Sequence, residues 1–104
     1  MAILIDKSWR DDVKAALDRI SELHSAHPAD TALISASRQL TYLIALIDDI
    51  EQDDSALEEI TLGYLAMYQL SEIVSPDMAE LMSEINDRVR RLLRQNGRKL
   101  KIDQ

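Results

Sequence analysis

The amino-acid sequence predicts an all-α fold: a small antiparallel bundle of four helices with short loops and an extended C-terminal tail. The chain has 104 residues, with two glycines, two prolines, no phenylalanine and no cysteine. A composition rich in Ala, Leu, Ile, Glu, Asp and Arg favours helices over sheets. Apolar residues make up 46% of the chain and recur at helical spacing, which is enough for one compact core. We therefore expect residues 1–104 to form a single domain.

The first two helices are bounded by local capping signals. Helix 1 is predicted over about 8–26, where Ser8 and Asp11 resemble a capping box and a histidine–proline pair follows the end. Helix 2 is predicted over about 30–51, with Asp30 as its N-cap. Both helices carry one apolar stripe that is expected to face the core.

The third helix is predicted over about 55–74 and begins at a capping box formed by Ser55 and Glu58. It is apolar on two sides, which is typical of a helix that is central to its bundle or shared with another molecule. The first of these faces contains Leu57, Ile60, Tyr64, Met67 and Tyr68. The second face contains Leu62, Ala66 and Leu70.

The fourth helix and the tail complete the predicted architecture. Ser75 is the expected N-cap, Pro76 occupies the first helical position, and an Asn-Gly pair signals the C-terminus. The tail "RKLKIDQ" (98–104) alternates polar and apolar residues in a short strand-like pattern. It is expected either to pair with "AILI" (2–5) or to lie extended along the bundle.

The charge is unevenly distributed along the chain. The net charge is −7, which argues against nucleic acid and anionic membranes as main partners. Residues 39–87 contain twelve acids and no base, whereas residues 88–101 contain seven bases and no acid. Folding could bring these two oppositely charged regions together.

The location expected from the sequence is cytoplasmic. The apolar start "MAILI" lacks the basic region and the small-residue cleavage site of a signal peptide. No apolar run approaches the roughly 20 residues needed to span a bilayer. The absence of cysteine also excludes disulfides and thiolate metal sites.

The sequence offers no pattern that predicts catalysis. His24 and His27 could share one side of helix 1, but neither a His-Glu-x-x-His nor a Glu-x-x-His pattern provides further ligands. The two glycines are far apart, so a glycine-rich phosphate loop is absent. We expect no catalytic residue, no cofactor and no metal, although a metal-dependent helical enzyme with His24 and His27 as ligands is the less favoured alternative.

The strongest functional signal is an acidic stretch, residues 47–59, with seven carboxylates and no basic residue. The dipole of the next helix accounts for Glu58 and Glu59 at its start. It does not account for three acids at the C-terminal end of helix 2, where negative charge is unfavourable: Asp48, Asp49 and Glu51. We interpret the stretch as a surface that meets a positively charged protein partner and steers its approach.

Two further features are open to alternative interpretations. Glycine within a helix costs about 1 kcal/mol relative to alanine, so Gly63 indicates a close contact either within the fold or with another chain beside Leu62. Tyr42 is predicted on the outer face of helix 2, one turn after Arg38, and these residue types are typical interface anchors. The alternative is that the tyrosine ring lies flat on helix 1 or helix 3.

Three segments resemble a known family. "LISASRQLTYLIALIDD" (33–49), "DDSALEEITLGYLA" (53–66) and "GRKLKID" (97–103) are similar to the small helical immunity proteins of type VI secretion systems. The resemblance is greatest to the family that neutralises an NAD(P)+ glycohydrolase effector. The matching features are Ser35-Ala36, Gln39-Leu40, Tyr42, Ser55-Ala56-Leu57, Thr61-Leu62-Gly63, Gly97-Arg98 and Lys101-Ile102-Asp103.

The resemblance implies a cytoplasmic antitoxin without catalysis, which binds the toxin domain and obstructs the entry of the dinucleotide. A dinucleotide site attracts phosphates and is usually electropositive, so an acidic protein can compete for it. The predicted partner-binding residues are Arg38, Tyr42, Asp48, Asp49, Glu51, Asp53, Asp54, Glu59, Leu62 and Gly63.

The main alternative is a homodimeric helical interaction module with no toxin partner. In that hypothesis the second face of helix 3 is the self-interface, formed by Leu62, Gly63, Ala66 and Leu70. Sedimentation separates the two hypotheses, because a monomer at every concentration would exclude the self-interface.

Overall fold

The computed structural model describes residues 5–102 and confirms the all-α fold. Its α-helices are α1 (Arg10–Ala26), α2 (Thr31–Ile47), α3 (Leu62–Tyr64) and α4 (Pro76–Gln95). Two 3-10 segments, Lys7–Trp9 and Ser55–Glu59, precede α1 and α3. A π-helical turn, Leu65–Gln69, continues α3 directly. No helix within the described residues is long and apolar enough to cross a membrane.

The first helix begins two residues later than the sequence predicts. Asp6, not Ser8, is the capping residue, because its Oδ1 accepts a hydrogen bond from the Ser8 backbone N–H at 2.9 Å. The predicted capping box of Ser8 and Asp11 is therefore wrong. The 3-10 turn that replaces it places Trp9 in the core. The predicted end of α1 before Pro28 is confirmed.

The second helix confirms its N-cap but ends early. Asp30 Oδ1 accepts hydrogen bonds from Ala32 N–H and Leu33 N–H at 2.9 and 3.2 Å. At the other end Asp49 adopts a left-handed conformation with φ of 58°, and Ile50 N–H donates to Ala45 O at 2.9 Å. This is a Schellman termination with an aspartate where glycine is usual. Helix 2 thus ends at Ile47 and not at residue 51 as predicted.

The continuous helix predicted over 55–74 is wrong. The 3-10 segment ends at Glu59, and Ile60 is extended before α3 begins. On one straight helix Leu57 and Leu62 would point about 140° apart, yet both are fully buried here. The break at Ile60 lets both leucines face the core. The capping box predicted at Ser55 is also wrong, because the Glu58 carboxylate binds Arg98 instead.

The start of α3 is capped by side chains from other helices. Gln39 on α2 accepts from Thr61 N–H through Oε1 and donates to Thr61 Oγ1 through Nε2, both at 2.8 Å. Asn86 on α4 accepts a hydrogen bond from Gly63 N–H at 2.9 Å. Helix N-termini leave backbone donors without internal partners, and these two side chains satisfy them. The position of α3 therefore depends on residues more than twenty positions away in the chain.

The fourth helix matches its sequence signals. Ser75 Oγ accepts from Met78 N–H at 3.1 Å, and Pro76 is the first helical residue. Gly97 has φ of 70°, and the two closing bonds run from Gly97 N–H to Arg94 O and from Arg98 N–H to Leu93 O. This pattern is a Schellman motif, for which glycine is favoured because it lacks a Cβ. The predicted N-cap and C-cap of helix 4 are both confirmed.

One hydrophobic core joins all of these elements. α1 packs on α2, and α4 packs on α3 and on α1. The largest fully buried side chains come from every helix and from the 3-10 segment between α2 and α3: Ile20, Leu33, Leu40, Leu43, Ile47, Leu57, Ile60, Leu62, Leu70, Met82, Ile85 and Leu93.

The tail closes the core from the C-terminal side. Leu100 is only 2% exposed, and Lys101 N–H donates to Glu58 O at 2.7 Å. The tail up to residue 102 lies against the 3-10 segment Ser55–Glu59, as in the second predicted arrangement, but residues 101–102 form a bend and are not extended. The alternative strand pairing involves residues 2–4, which lie outside the described part of the chain.

Candidate functional site

The acidic loop, which we define as residues 48–59, connects α2 to α3 and contains the 3-10 segment. Arg10 binds its first carboxylate in a bidentate manner, with Nε and Nη2 donating to the two oxygens of Asp48 at 2.8 and 3.1 Å. This hydrogen-bonded cation lowers the pKa of Asp48. Lys7 Nζ lies 3.8 Å from Asp49 Oδ2 in an exposed contact. Lys7 and Arg10 thus offset the unfavourable negative charge at the end of α2. The sequence alone had given no structural reason for this charge.

The middle of the acidic loop is held by its own carboxylates. Glu51 Oε1 accepts hydrogen bonds from the N–H groups of Gln52 and Asp53, each at 2.9 Å. Asp53 Oδ1 accepts from Ser55 N–H at 2.9 Å, and this bond lowers the pKa of Asp53. These turns fix the backbone while leaving the carboxylates exposed. A preorganised loop loses less entropy when it binds a partner.

The C-terminal tail supplies the cations for the last part of the loop. Arg98 Nε donates to Glu58 Oε2 at 2.7 Å, and Arg98 Nη1 donates to Asp54 Oδ1 at 3.0 Å. Lys101 Nζ lies 3.7 Å from Glu59 Oε1. Folding therefore brings the basic C-terminal region against the acidic region, as the sequence allowed.

Tyr42 and Arg38 lie beside this loop. The Tyr42 O–H donates to the carbonyl oxygen of Asp53 at 2.7 Å, and its ring is half-buried. Together with Ala56 and Glu59, both residues line a shallow, mostly apolar recess of about 230 Å³. The ring therefore lies beside residues 53–60, which include the start of the segment predicted as helix 3, in agreement with the alternative that placed it on that helix. The structure brings three predicted contact residues, Arg38, Tyr42 and Glu59, to one surface.

We expect Tyr42→Phe to weaken the fold and to change its response to alkali. Burial raises the pKa of Tyr42 to about 12 from an ordinary value of 10.0, with the Ala56 N–H opposing this and nearby carboxylates adding to it. The folded state thus holds the phenolic proton more tightly than the unfolded state. The resulting stability is complete below pH 10 and is lost as the pH rises towards 12. Loss of the hydrogen bond should cost about 1 kcal/mol at neutral pH.

Urea denaturation of the wild type and Tyr42→Phe at about pH 8 and about pH 11 measures both effects. Between these pH values the wild type should lose more stability than Tyr42→Phe, because only the wild type carries this phenol. Tyr64→Phe, which removes an exposed hydroxyl, is the matched control and should behave as the wild type. Equal alkaline losses in the wild type and Tyr42→Phe would contradict the expectation.

Leu62 and Gly63 are buried, so the direct partner contact predicted for them is wrong, whereas the alternative of a close contact at Gly63 within the fold agrees with the structure. Leu62 is 0% exposed, and Gly63 is buried with its N–H bound to Asn86. A Cβ added at Gly63 would meet Asn86 at 3.6 Å, an ordinary contact distance. Ala66 and Leu70 are buried as well. The self-interface proposed for a homodimer therefore belongs to the core and cannot contact a second copy directly.

The opposite face of α3 and the π turn is the exposed one. Tyr64, Met67 and Tyr68 are 37%, 57% and 65% exposed, and the two tyrosine rings pack with centroids 5.1 Å apart. We call these three residues the aromatic patch. The predicted face grouped these three residues with Leu57 and Ile60, which are buried instead, and nothing in the sequence showed which residues of helix 3 point outwards.

The two histidines are the ligands of the alternative metal-site hypothesis. Within residues 5–102, no cluster of three or more His, Cys, Asp or Glu side chains could hold a metal ion. His24 and His27 lie at the C-terminal end of α1, away from the acidic loop in sequence.

Comparison with known families identifies the class of protein. Residues 8–91 match the model of a family of type VI secretion immunity proteins. That family is Tsi6, and because the match covers well over half of the chain, the protein belongs to it. No curated protein and no solved structure matches the chain. Membership implies that the chain binds a cognate toxin and belongs to a class that is generally not enzymatic.

Proposed function

We propose that this protein is a cytoplasmic immunity protein that binds an NAD(P)+ glycohydrolase toxin domain and blocks its active site. Family membership supplies the immunity class. The proposal that the toxin's active site is the target rests on the acidic loop. The loop is held by hydrogen bonds, and its exposed carboxylates include those of Asp49, Glu51 and Asp53. A site that binds the two phosphates of a dinucleotide must attract negative charge. A fixed array of carboxylates is complementary to such a site.

The charge of the acidic loop survives its internal pairing. Its seven carboxylates face four basic side chains, Lys7, Arg10, Arg98 and Lys101, so the surface keeps a net charge of −3. Exposed charges of one sign speed the encounter with an oppositely charged partner, and salt screens this effect. The loop is therefore suited to steering the toxin towards the contact.

The proposed contact differs from the sequence-based prediction in two residues. Leu62 and Gly63 are buried, so they support α3 and do not touch the toxin directly. The remaining predicted residues are retained as the proposed contact: Arg38, Tyr42, Asp48, Asp49, Glu51, Asp53, Asp54 and Glu59.

The first experiment mixes the purified protein with a candidate toxin domain from a neighbouring gene and follows hydrolysis of NAD+. We expect activity to fall to zero at equal molar ratio, because the inhibitor occupies the active site. The association rate should fall as salt increases, by about tenfold between low and physiological ionic strength. No inhibition despite tight binding would exclude active-site blockade, and no binding would exclude the immunity role for that pair.

A triple variant tests the acidic loop itself. Asp49→Asn, Glu51→Gln and Asp53→Asn keep the hydrogen-bonding oxygens but remove three charges. We expect the association rate to fall about tenfold, with little change in dissociation. The matched control removes three exposed charges elsewhere, at Glu22, Glu72 and Glu80, and should have a much smaller effect. Equal effects of the two triple variants would show that only net charge matters.

A further inference from the structure

The aromatic patch contains three of the five large apolar side chains that are exposed in the described part of the chain. Its three residues project from α3 and the π turn, in which Leu70 N–H donates to Leu65 O at 2.7 Å. The turn buries Leu65, Ala66 and Leu70 while Met67 and Tyr68 face outwards. Single π turns are uncommon and occur frequently at functional sites. Contiguous exposed apolar patches, unlike isolated residues, mark interaction surfaces.

A groove of about 380 Å³ runs beside the aromatic patch. Met67 and Tyr68 form one wall, and α4 forms the other with Asn86 and the ion pair of Asp87 and Arg90, whose N–O distance is 2.6 Å. The outer face of α4 continues from there with a strip of four arginines, Arg88, Arg90, Arg91 and Arg94, which we call the basic strip. Arg88 pairs with Asp12 at 3.2 Å and Arg90 pairs with Asp87, whereas the side chains of Arg91 and Arg94 are exposed. A groove with one apolar wall and one polar wall is thus bordered by the exposed arginines Arg91 and Arg94.

We propose that the aromatic patch and its groove hold an apolar side chain of the toxin domain that is flanked by carboxylates. This inference rests on the immunity function proposed above. It divides the contact into two parts. The acidic loop sets how fast the toxin arrives, and the aromatic patch sets how long it stays. Tyrosine and arginine are enriched among residues that dominate binding energy, whereas exposed carboxylates mainly affect association.

Charge and family membership argue for the toxin as the occupant. The exposed guanidinium groups of Arg91 and Arg94 favour a partner surface that carries carboxylates, and membership of the immunity family implies that this chain binds a cognate toxin. The three side chains expose roughly 300 Å², well below the about 800 Å² per partner of a stable interface. The patch therefore suits the centre of a larger contact with that protein.

The acidic loop and the aromatic patch are close enough to fall within the span of one interface. Glu59 at the end of the acidic loop and Tyr64 at the start of the aromatic patch are five residues apart, which limits their separation to roughly 17 Å. An interface of about 800 Å² per partner is roughly 30 Å across. The two surfaces therefore fit within one contact of ordinary size.

The test measures association and dissociation rates of the toxin domain with Tyr68→Ala and Met67→Ala. We expect Tyr68→Ala to dissociate roughly 30-fold faster and Met67→Ala roughly tenfold faster, with association rates within about twofold of the wild type. Ile102→Ala is the matched control, since Ile102 is 53% exposed but lies in the tail; its dissociation rate should not change. Arg91→Glu combined with Arg94→Glu should also speed dissociation, because the substitutions repel the expected carboxylates.

Three other results would overturn the inference, and each points to a different cause. Unchanged dissociation in Tyr68→Ala would mean that the toxin docks elsewhere, while wild-type inhibition would leave the immunity function intact. A concentration-dependent dimer in sedimentation that Tyr68→Ala abolishes would assign the patch to a second copy. Failure of the wild type itself to bind would reject the proposed function, not the patch alone. Thermal unfolding of every variant should match the wild type, because the substituted side chains are exposed.

Discussion

Leu100→Ala is expected to lower the free energy of unfolding by about 2–3 kcal/mol, a large effect for a residue five positions beyond the last helix. Leu100 is 2% exposed and belongs to the main core. Truncation removes buried methyl groups and leaves a cavity under the tail. The expected value lies in the lower half of the range for Leu→Ala because a terminal segment can relax into part of the space. Urea denaturation at neutral pH measures it.

Ile102→Ala provides a control in the same tail. Ile102 is exposed, so its truncation should change the unfolding free energy by less than about 0.5 kcal/mol. The pair separates burial from any general effect of shortening an apolar side chain near the terminus. If Leu100→Ala and Ile102→Ala cost the same, the tail does not stay docked in solution.

The parts of the fold that the sequence predicted well are those with local causes. Asp30, Ser75 and Gly97 act on backbone groups within five residues of themselves, so their roles can be read from the chain alone. The apolar periodicity of α1, α2 and α4 is local in the same sense. These signals were enough to predict an all-α fold and the approximate bounds of three helices.

The break before α3 has distant causes and could not be predicted in this way. The residues that cap this helix, Gln39 and Asn86, lie 22 and 23 positions away. Ser55 and Glu58 have the spacing of a capping box, but Arg98 competes for the glutamate from 40 positions away. A capping rule that considers only neighbouring residues cannot include Arg98, because only folding brings Arg98 close to Glu58.

The candidate site also combines features with local causes, which the sequence predicts, and features with distant causes, which it does not. The sequence predicted an acidic surface because seven carboxylates are close together in the chain. It could not place Arg10 against Asp48, 38 residues apart, and so treated that charge as unexplained. It also predicted two apolar faces on helix 3, but Leu57 and Ile60 of the first face are buried, as are Leu62 and Gly63, which were predicted to contact a partner. Face assignment requires knowing which neighbours α3 packs against, and that is a tertiary property.

Arg98→Ala should cost about 2 kcal/mol of unfolding free energy. Its guanidinium donates to Glu58 Oε2, Asp54 Oδ1 and the Asp54 carbonyl oxygen at 2.7, 3.0 and 3.1 Å. Removing it takes away the cation that two neighbouring carboxylates share, and these then repel each other. The three side chains are 21–30% exposed, so solvent screening reduces the cost below that of a fully buried pair. Lys99→Ala, at an exposed neighbouring position, should be nearly neutral.

Arg98→Lys distinguishes charge from geometry at this position. Lysine keeps the positive charge, but one ammonium on a flexible stem cannot reproduce a planar fork that contacts three acceptors. We therefore expect Arg98→Lys to recover less than half of the stability that Arg98→Ala loses. Full recovery would mean that the acidic loop needs only a nearby cation. Partial recovery, together with slower toxin binding by both variants, would mean that Arg98 fixes the loop in the shape that the toxin meets.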